Sequence, residues 1–283
     1  MLIQVVHTTR LDYSAPVAEA VMDVRLGPYS DDDQRVRRFN LGVRPTGSAH
    51  RYRDGFGNAT HLVTVVKPHE LLELTASTEV ETLLADPFQP PRRSPAPLAP
   101  DERAPALGET PLIPLVDELR SVAGPFQSGS ADDGFATAHA LTRLVYERIR
   151  YRQHVTTVTS TVADVLRGGE GVCQDLAHVL IGLCRCLGLP ARYVSGYVVP
   201  RDARQSEGGA PRRGAGASHA WAEVFTASHG WRGFDPTNNL LANDHYVKVG
   251  IGRDYRDVAP TRGTYRGRAE ESLSVSVATN VLA

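Results

Sequence analysis

The sequence predicts an α+β protein in two units, with strands first and helices and a hairpin later. Three observations carry that prediction. The first ~85 residues alternate apolar and polar positions between closely spaced turn signals, which reads as strands. A proline-dense stretch then breaks the pattern, because proline removes backbone donors. Beyond it, apolar residues recur at helical spacing before a second alternating region. The length of 283 residues suits two domains of roughly 150 residues each.

In the first unit, "LIQVVHTTRLDY" and "HLVTVVKP" carry β-branched runs, and "LLELTASTEVETLL" fits either strand or helix. "RDGFGNAT", Arg53 to Thr60, is a glycine-rich turn of the hairpin kind. Short strands of this type predict a small β-sandwich over residues 1–86. Asp86 to Pro114 is dense in proline, which excludes regular helix and central strand. A linker is therefore expected over residues 87–130, and the second unit over 131–283.

The second unit opens on Asp132 and Asp133, which can cap a helix carrying Phe135, Ala138, Leu141, Val145 and Ile149 on one face. Thr161-x-x-Asp164 resembles a capping box, and Gly168 and Gly169 end that short helix. Pro200 to Ala217 is a polar loop by composition. It carries four glycines, at 208, 209, 214 and 216, and its Arg201, Arg204, Arg212 and Arg213 outnumber Asp202 and Glu207. Because it directly precedes His219, it reads either as a passive surface insertion or as a basic lid favouring acidic or carboxylate substrates.

Charge and cysteine content narrow the setting. Lys plus Arg is 31 and Asp plus Glu is 32, a balance that points away from nucleic acid and anionic membrane as partners. No apolar run approaches the ~20 residues of a membrane span, and Met1 to Arg10 has no signal-peptide pattern. The three cysteines, at 173, 184 and 186, are too clustered to staple a fold. A reduced, cytoplasmic protein is the expectation.

Cys173 stands between a glycine turn and an apolar helix in which Leu176, Leu180, Leu183, Cys184 and Leu187 share a face. Gly188-Leu189-Pro190 stops the helix, and Ala191 to Val199 reads as a strand. The first helical turn offers free N–H groups and the positive dipole end, both of which favour thiolate. Gly171 allows close backbone approach just ahead of it. Cys184 and Cys186 lie mid-helix, without an activating environment. No C-x-x-C occurs and His178 is the only histidine on this helix, so neither a zinc site nor any other metal or cofactor is predicted.

After the loop, Ser218 to Thr226 alternates. Ala220, Ala222 and Val224 lie on one face, and His219, Trp221 and Glu223 on the other. Ala227 to Gly230 is the turn, with His229 solvated, and Trp231 to Asp235 returns as the second strand. Cysteine, histidine and acid on separate elements are the parts of nucleophilic acyl transfer. A two-residue turn at Ser228-His229 sets Asp235 opposite Ala222, so a bulge, twist or longer turn is required to bring Asp235 to His219.

Three blocks, "GEGVCQDLAHVLIGLCRCLGLPARYVSGY", "SHAWAEVF" and "GWRGFDPTNN", resemble the transglutaminase-like superfamily, specifically its bacterial proteins with an N-terminal β domain. "TTRLDYSAPV" with "DGFGN" is similar to that N-terminal domain, and Gly252 to Gly267 to the C-terminal segment. The resemblance implies a papain-like core, a cysteine helix packed on an antiparallel sheet. It implies Cys173 as nucleophile, His219 as base and Asp235 as orienting acid. An oxyanion hole would use the Cys173 N–H and one further donor. Animal members supply a tryptophan upstream of the cysteine; neither Trp221 nor Trp231 lies there, and Tyr151 is the candidate substitute. No acidic cluster has calcium-loop spacing. The implied activity is cysteine-dependent cleavage of amide bonds in a peptide or protein substrate. Transfer to an amine and a non-catalytic binding module are the alternatives. The sequence assigns no oligomeric state.

Overall fold

Alternation and turn chemistry build six N-terminal strands: β1 (Leu2–Val17), β2 (Glu19–Gly27), β3 (Gln34–Arg44), β4 (Ser48–Arg53), β5 (Ala59–Val65) and β6 (His69–Thr82). The structure, a computed structural model, describes residues 1–127, 134–200, 212–214 and 216–282. β6 settles the ambiguous segment. Leu72, Leu74, Ala76, Thr78 and Val80 are buried at every second position, the period of a strand. Asp54 shapes the glycine turn between β4 and β5, its Oδ1 accepting from the N–H groups of Phe56 and Asn58.

The second unit holds α1 (Pro100–Leu107), α2 (Asp117–Ala123), α3 (Phe135–Arg148), β7 (Arg150–Tyr151), α4 (Val162–Gly168), β8 (Glu170–Gly171) and α5 (Cys173–Cys186). There follow β9 (Ala191–Val198), β10 (His219–Thr226), β11 (Gly230–Asp235), β12 (Leu240–Leu241), β13 (Tyr246–Gly252) and α6 (Tyr255–Val258). The expected capping box is present at α4: Thr161 Oγ1 accepts from Asp164 N–H at 3.3 Å, and Asp164 Oδ2 from Thr161 N–H at 3.0 Å. Asp132 and Asp133, the expected caps of α3, lie outside the described residues.

α1 corrects the expectation that the proline-dense stretch excludes helix. Pro100 opens it at a position that needs no intrahelical N–H. Pro105 removes one interior donor, which frees only the carbonyl of exposed Asp101, and Arg185 of α5 fastens the far end of the helix by donating to the carbonyls of Ala106 at 3.2 Å and Gly108 at 2.9 Å. The stretch beyond it contributes core. Leu112, Ile113, Leu119 and Ala123 bury in one cluster with α5.

The C-terminus brings a second correction. β14 (Thr261–Arg266) and β15 (Glu271–Val281) return to the sandwich rather than staying with the second unit. The sandwich sheets have strand orders β15-β1-β6-β3 and β14-β2-β5-β4. β15 runs antiparallel to β1 from Ile3↔Val281 to Tyr13↔Glu271. It satisfies backbone groups that an edge at β1 would leave open.

The core sheet is antiparallel with order β12-β11-β10-β9-β13, and α5 packs on it through Ala220, Ala222 and Val224 of β10. α5 is buried on every side from Gln174 to Arg185, not on a single stripe. The sheet covers one side, and α2, α3 and α4 cover the rest. Burying Leu176, Leu180 and Leu183 contributes about 1.5–3 kcal/mol each. The N-terminal end of this helix is thereby fixed against the start of β10. Among the described residues, no helix is long and apolar enough to cross a membrane.

Candidate active site

The structure brings together Cys173, His219 and Asp235. Cys173 is the first residue of α5, His219 the first of β10 and Asp235 the last of β11. The register difficulty is resolved by a longer turn, without a bulge. Ala227, Ser228 and His229 form the turn, and Gly230 takes a φ of 68° that other residues rarely adopt. Pairs run from Thr226↔Gly230 to Ala222↔Phe234. One further step sets Asp235 across from Trp221, two residues from His219 on the same face.

His219 Nε2 meets Asp235 Oδ2 at 2.7 Å, and both side chains are 0% exposed. Burial pulls His219 down, but the Asp235 charge and hydrogen bond, with further contributions from Cys173, outweigh it. The pKa is raised to about 10. Asp235 is pushed up by burial and pulled lower overall by His219, Asn238 and Tyr246. Its Oδ2 also accepts from Asn238 Nδ2 at 2.8 Å and Tyr246 OH at 2.9 Å. Its Oδ1 accepts from the N–H groups of Thr237 at 2.9 Å and Asn238 at 3.3 Å. Asp235 thus orients the imidazole and caps the turn at once.

The other ring nitrogen, Nδ1, is buried and has no hydrogen bond of standard geometry. The half-buried Cys173 thiol is close enough to help raise the pKa of the ring. Residues 212–214 lie against the same edge of the ring. A Cβ added to Gly214 would stand 2.4 Å from Nδ1, and φ there is 84°. Arg213 fixes this segment: its N–H donates to Asn238 Oδ1 at 2.8 Å, and its carbonyl accepts from Asn238 Nδ2 at 3.2 Å. Residues 201–211 and 215 of the candidate basic lid, including Arg201 and Arg204, lie outside the described residues.

The N-terminus of α5 is set by its own third residue. Asp175 Oδ2 accepts from Val172 N–H at 2.8 Å and from Thr156 Oγ1 at 2.6 Å. Burial raises the Asp175 pKa. Gly171 makes its close approach here: a Cβ at that position would lie 2.8 Å from Asp175 Cβ. The first-turn N–H groups of Cys173 and Gln174 have no acceptor among the described residues. Tyr151 stands near enough that burial and then charge at Cys173 raise its pKa, and the Arg213 guanidinium lies 5.6 Å from its ring.

The remaining sequence candidates lie elsewhere. Cys184 is fully buried, and burial pushes its thiol up to about 12. His178 is held down to about 3 by burial, and its Nε2 accepts from Tyr255 N–H at 3.1 Å. His229 is half-buried rather than solvated, its ring stacked on Phe135 at 4.0 Å. Among the described residues, no three His, Cys, Asp or Glu side chains are grouped to hold a metal ion. Asn238 and Tyr246 escaped sequence reasoning. Asn238 sits in the quoted "DPTNN", where its polarity was the available signal; Tyr246 lies eleven residues beyond Asp235 and gives no local sign.

Comparison with known proteins agrees with this architecture. The profile of the transglutaminase-like superfamily matches residues 120–236, and that of the bacterial transglutaminase-like N-terminal region matches residues 3–81. An uncharacterized protein of Mycobacterium leprae is 33% identical over 280 residues, covering 97% of this chain and 96% of its own. One from Mycobacterium tuberculosis is 33% identical over 308 residues, covering 97% and 91%. The crystal structure of a proposed cysteine protease from Cytophaga hutchinsonii shares the fold, with a TM-score of 0.74 at 21% identity, over 100% of this chain and 92% of the other. On these matches and this fold, the chain belongs to the transglutaminase-like superfamily and carries its bacterial N-terminal region.

Proposed function

We propose that the protein is a cysteine-dependent acyl enzyme that hydrolyses amide bonds in peptides or proteins. One observation carries the reading: a buried imidazole bonded to Asp235 at 2.7 Å through Nε2 and close enough to the half-buried Cys173 thiol for the thiol to raise its pKa. In this mechanism the Cys173 thiolate attacks the amide carbonyl carbon. The resulting oxyanion is held by the free Cys173 N–H at the helix start. The protonated His219 gives its proton to the leaving amine, and the C–N bond breaks to leave a thioester. Water then yields a proton to His219 and its oxygen to the acyl carbon, which releases the acid and the thiolate. Asp235 holds the ring through Nε2 and leaves Nδ1 free for the proton exchange throughout. Hydrolysis is preferred to amine transfer because water needs no second binding site. The unpaired cysteines suit a reducing compartment, which favours the cytoplasm.

The test is an amide library screened with wild type and Cys173→Ala, alongside iodoacetamide labelling. Turnover is expected to vanish in Cys173→Ala. Iodoacetamide should label Cys173, and labelling should abolish turnover. Substantial residual turnover in the variant would sink the mechanism.

A further inference from the structure

A groove of about 410 Å³ runs beside the start of α5, between the loop ahead of α4 and the segment after β13. Its apolar wall includes Leu112, Val158, Tyr255 and Ala259. Val158 is 55% exposed at this wall, and its loop is tied to α5. The ties are short. Gln174, next to Cys173, donates to the Val158 carbonyl at 3.5 Å, and Thr156 donates to Asp175. On the opposite wall, Tyr255 meets Tyr193 edge-on at 6.4 Å, and Tyr193 is close enough to Cys173 for charge there to act on it.

The polar part of the lining is cationic. Arg256 and Arg262 line the groove, and both are exposed. Their neighbours in sequence are paired: Arg253 with Asp257 at 2.8 Å and Arg266 with Glu19 at 3.2 Å. Neither Arg256 nor Arg262 is ion-paired among the described residues; Asp23, across from Arg262 on β2, is engaged by Arg25 and Tyr52. A guanidinium left without an acid beside an apolar wall is a receptor for a carboxylate brought by a ligand.

On the reading of Cys173 as nucleophile, we propose that this groove is a substrate subsite for a peptide segment that sets an acidic residue beside an aliphatic one. The aliphatic side chain occupies the wall of Leu112, Val158 and Tyr255. The carboxylate is taken by Arg256 and Arg262. The subsite therefore selects among amide substrates by charge.

The test labels Cys173 with matched dipeptide electrophiles in both orientations. Acetyl-Leu-Glu and acetyl-Leu-Gln chloromethyl ketones place the residues on the acyl side. The C-terminal amides of chloroacetyl-Leu-Glu and chloroacetyl-Leu-Gln place them on the leaving side. Labelling rates are read by intact mass. In at least one orientation the acidic probe should react about tenfold faster at low salt, and the advantage should fade near ~1 M salt. The double variant Arg256→Gln/Arg262→Gln should erase it, with an unchanged melting curve confirming the fold. Equal rates in both orientations overturn the subsite but leave the nucleophile standing. A preference that survives the double variant also overturns it and moves the recognising charge elsewhere. Failure of all four probes to label Cys173 overturns the nucleophile itself, and the subsite with it.

Discussion

His219 and Asp235 stand two residues out of register on neighbouring strands, yet their side chains meet at 2.7 Å in a fully buried site. The diagonal works because residues opposite and two apart on one sheet face lie within reach of long side chains. It also fixes what a conservative change would do. In Asp235→Asn the remaining oxygen is needed by the N–H groups of Thr237 and Asn238. The amide NH₂ must then face three donors, from His219, Asn238 and Tyr246. The imidazole answers by moving its proton to Nδ1, where it can no longer accept one from the thiol side. We expect kcat to fall by up to ~10⁴-fold. Tyr246→Phe removes one donor and keeps the tautomer, so its effect should be about tenfold or less, with about 1.5–3 kcal/mol lost from stability. Steady-state kinetics and urea unfolding on both variants check this. Equal losses of kcat would remove the tautomer from the explanation.

The same pair makes stability depend on pH with a definite sign. His219 is raised from 6.5 to about 10 in the folded protein. Its contribution is therefore full below the unfolded value and drains away as pH climbs from 6.5 toward about 10. Asp235 runs the other way: its lowered pKa contributes above the ordinary value of 3.8 and is lost as pH falls below it. The stability gap between wild type and His219→Gln should be widest near about pH 6 and should narrow by about pH 9.5. Urea unfolding at both values measures it. A gap that widens toward alkaline pH contradicts the pairing.

Much of this was legible in the sequence, and the failures have physical causes. Alternation in "LIQVVHTTRLDY" yields β1 because one face is buried against other strands. The cysteine helix is marked by its apolar residues and by the Gly188-Leu189-Pro190 stop. What escaped was pairing. Leu273, Val275 and Val277 alternate visibly, but nothing local says that β15 joins β1, more than 250 residues away. The hairpin register failed by one residue because turn length decides it, and two- and three-residue turns look alike in sequence. Proline in α1 misled because the carbonyl it frees, at Asp101, is exposed, and because Arg185, which fastens the helix, comes from another helix. Cys173, His219 and Asp235 were readable as a set, whereas Tyr246 was not, since its role exists only after the sheet closes.

Gly214 offers a test of the segment over the imidazole. Its φ of 84° and the 2.4 Å separation between a built Cβ and His219 Nδ1 leave no room for a side chain. Gly214→Ala must displace either the 212–214 segment or the ring. A displacement of about 1 Å at a reacting group can cost ~10²-fold in rate. We expect kcat to fall on that order, with about 1 kcal/mol of stability lost to the strained φ and more if the ring moves off Asp235. A crystal structure should show the ring or the segment moved. Wild-type kcat in Gly214→Ala would mean that the segment yields freely and does not hold the ring.

Arg185 lies at the far end of α5 and tests the packing that holds Cys173 in place. It is buried and donates to the carbonyls of Ala106, Gly108, Ala191 and Arg253. Burial lowers its pKa to about 10, well above neutrality, so the guanidinium stays charged. Four segments thus meet on one side chain: α1, the stretch after it, the start of β9 and the residue that follows β13. Arg185→Met keeps the length and removes every donor. Buried acceptors left without partners cost about 1–3 kcal/mol each, partly offset by no longer burying a charge. We expect a net loss of roughly 3 kcal/mol, seen as a lower urea midpoint. Because Arg185 sits more than three turns from Cys173, kcat of the folded fraction at low temperature should stay close to wild type. A variant as stable as wild type would mean that other donors reach these carbonyls. A loss of kcat without loss of stability would show that the far end of the helix sets the position of the thiol.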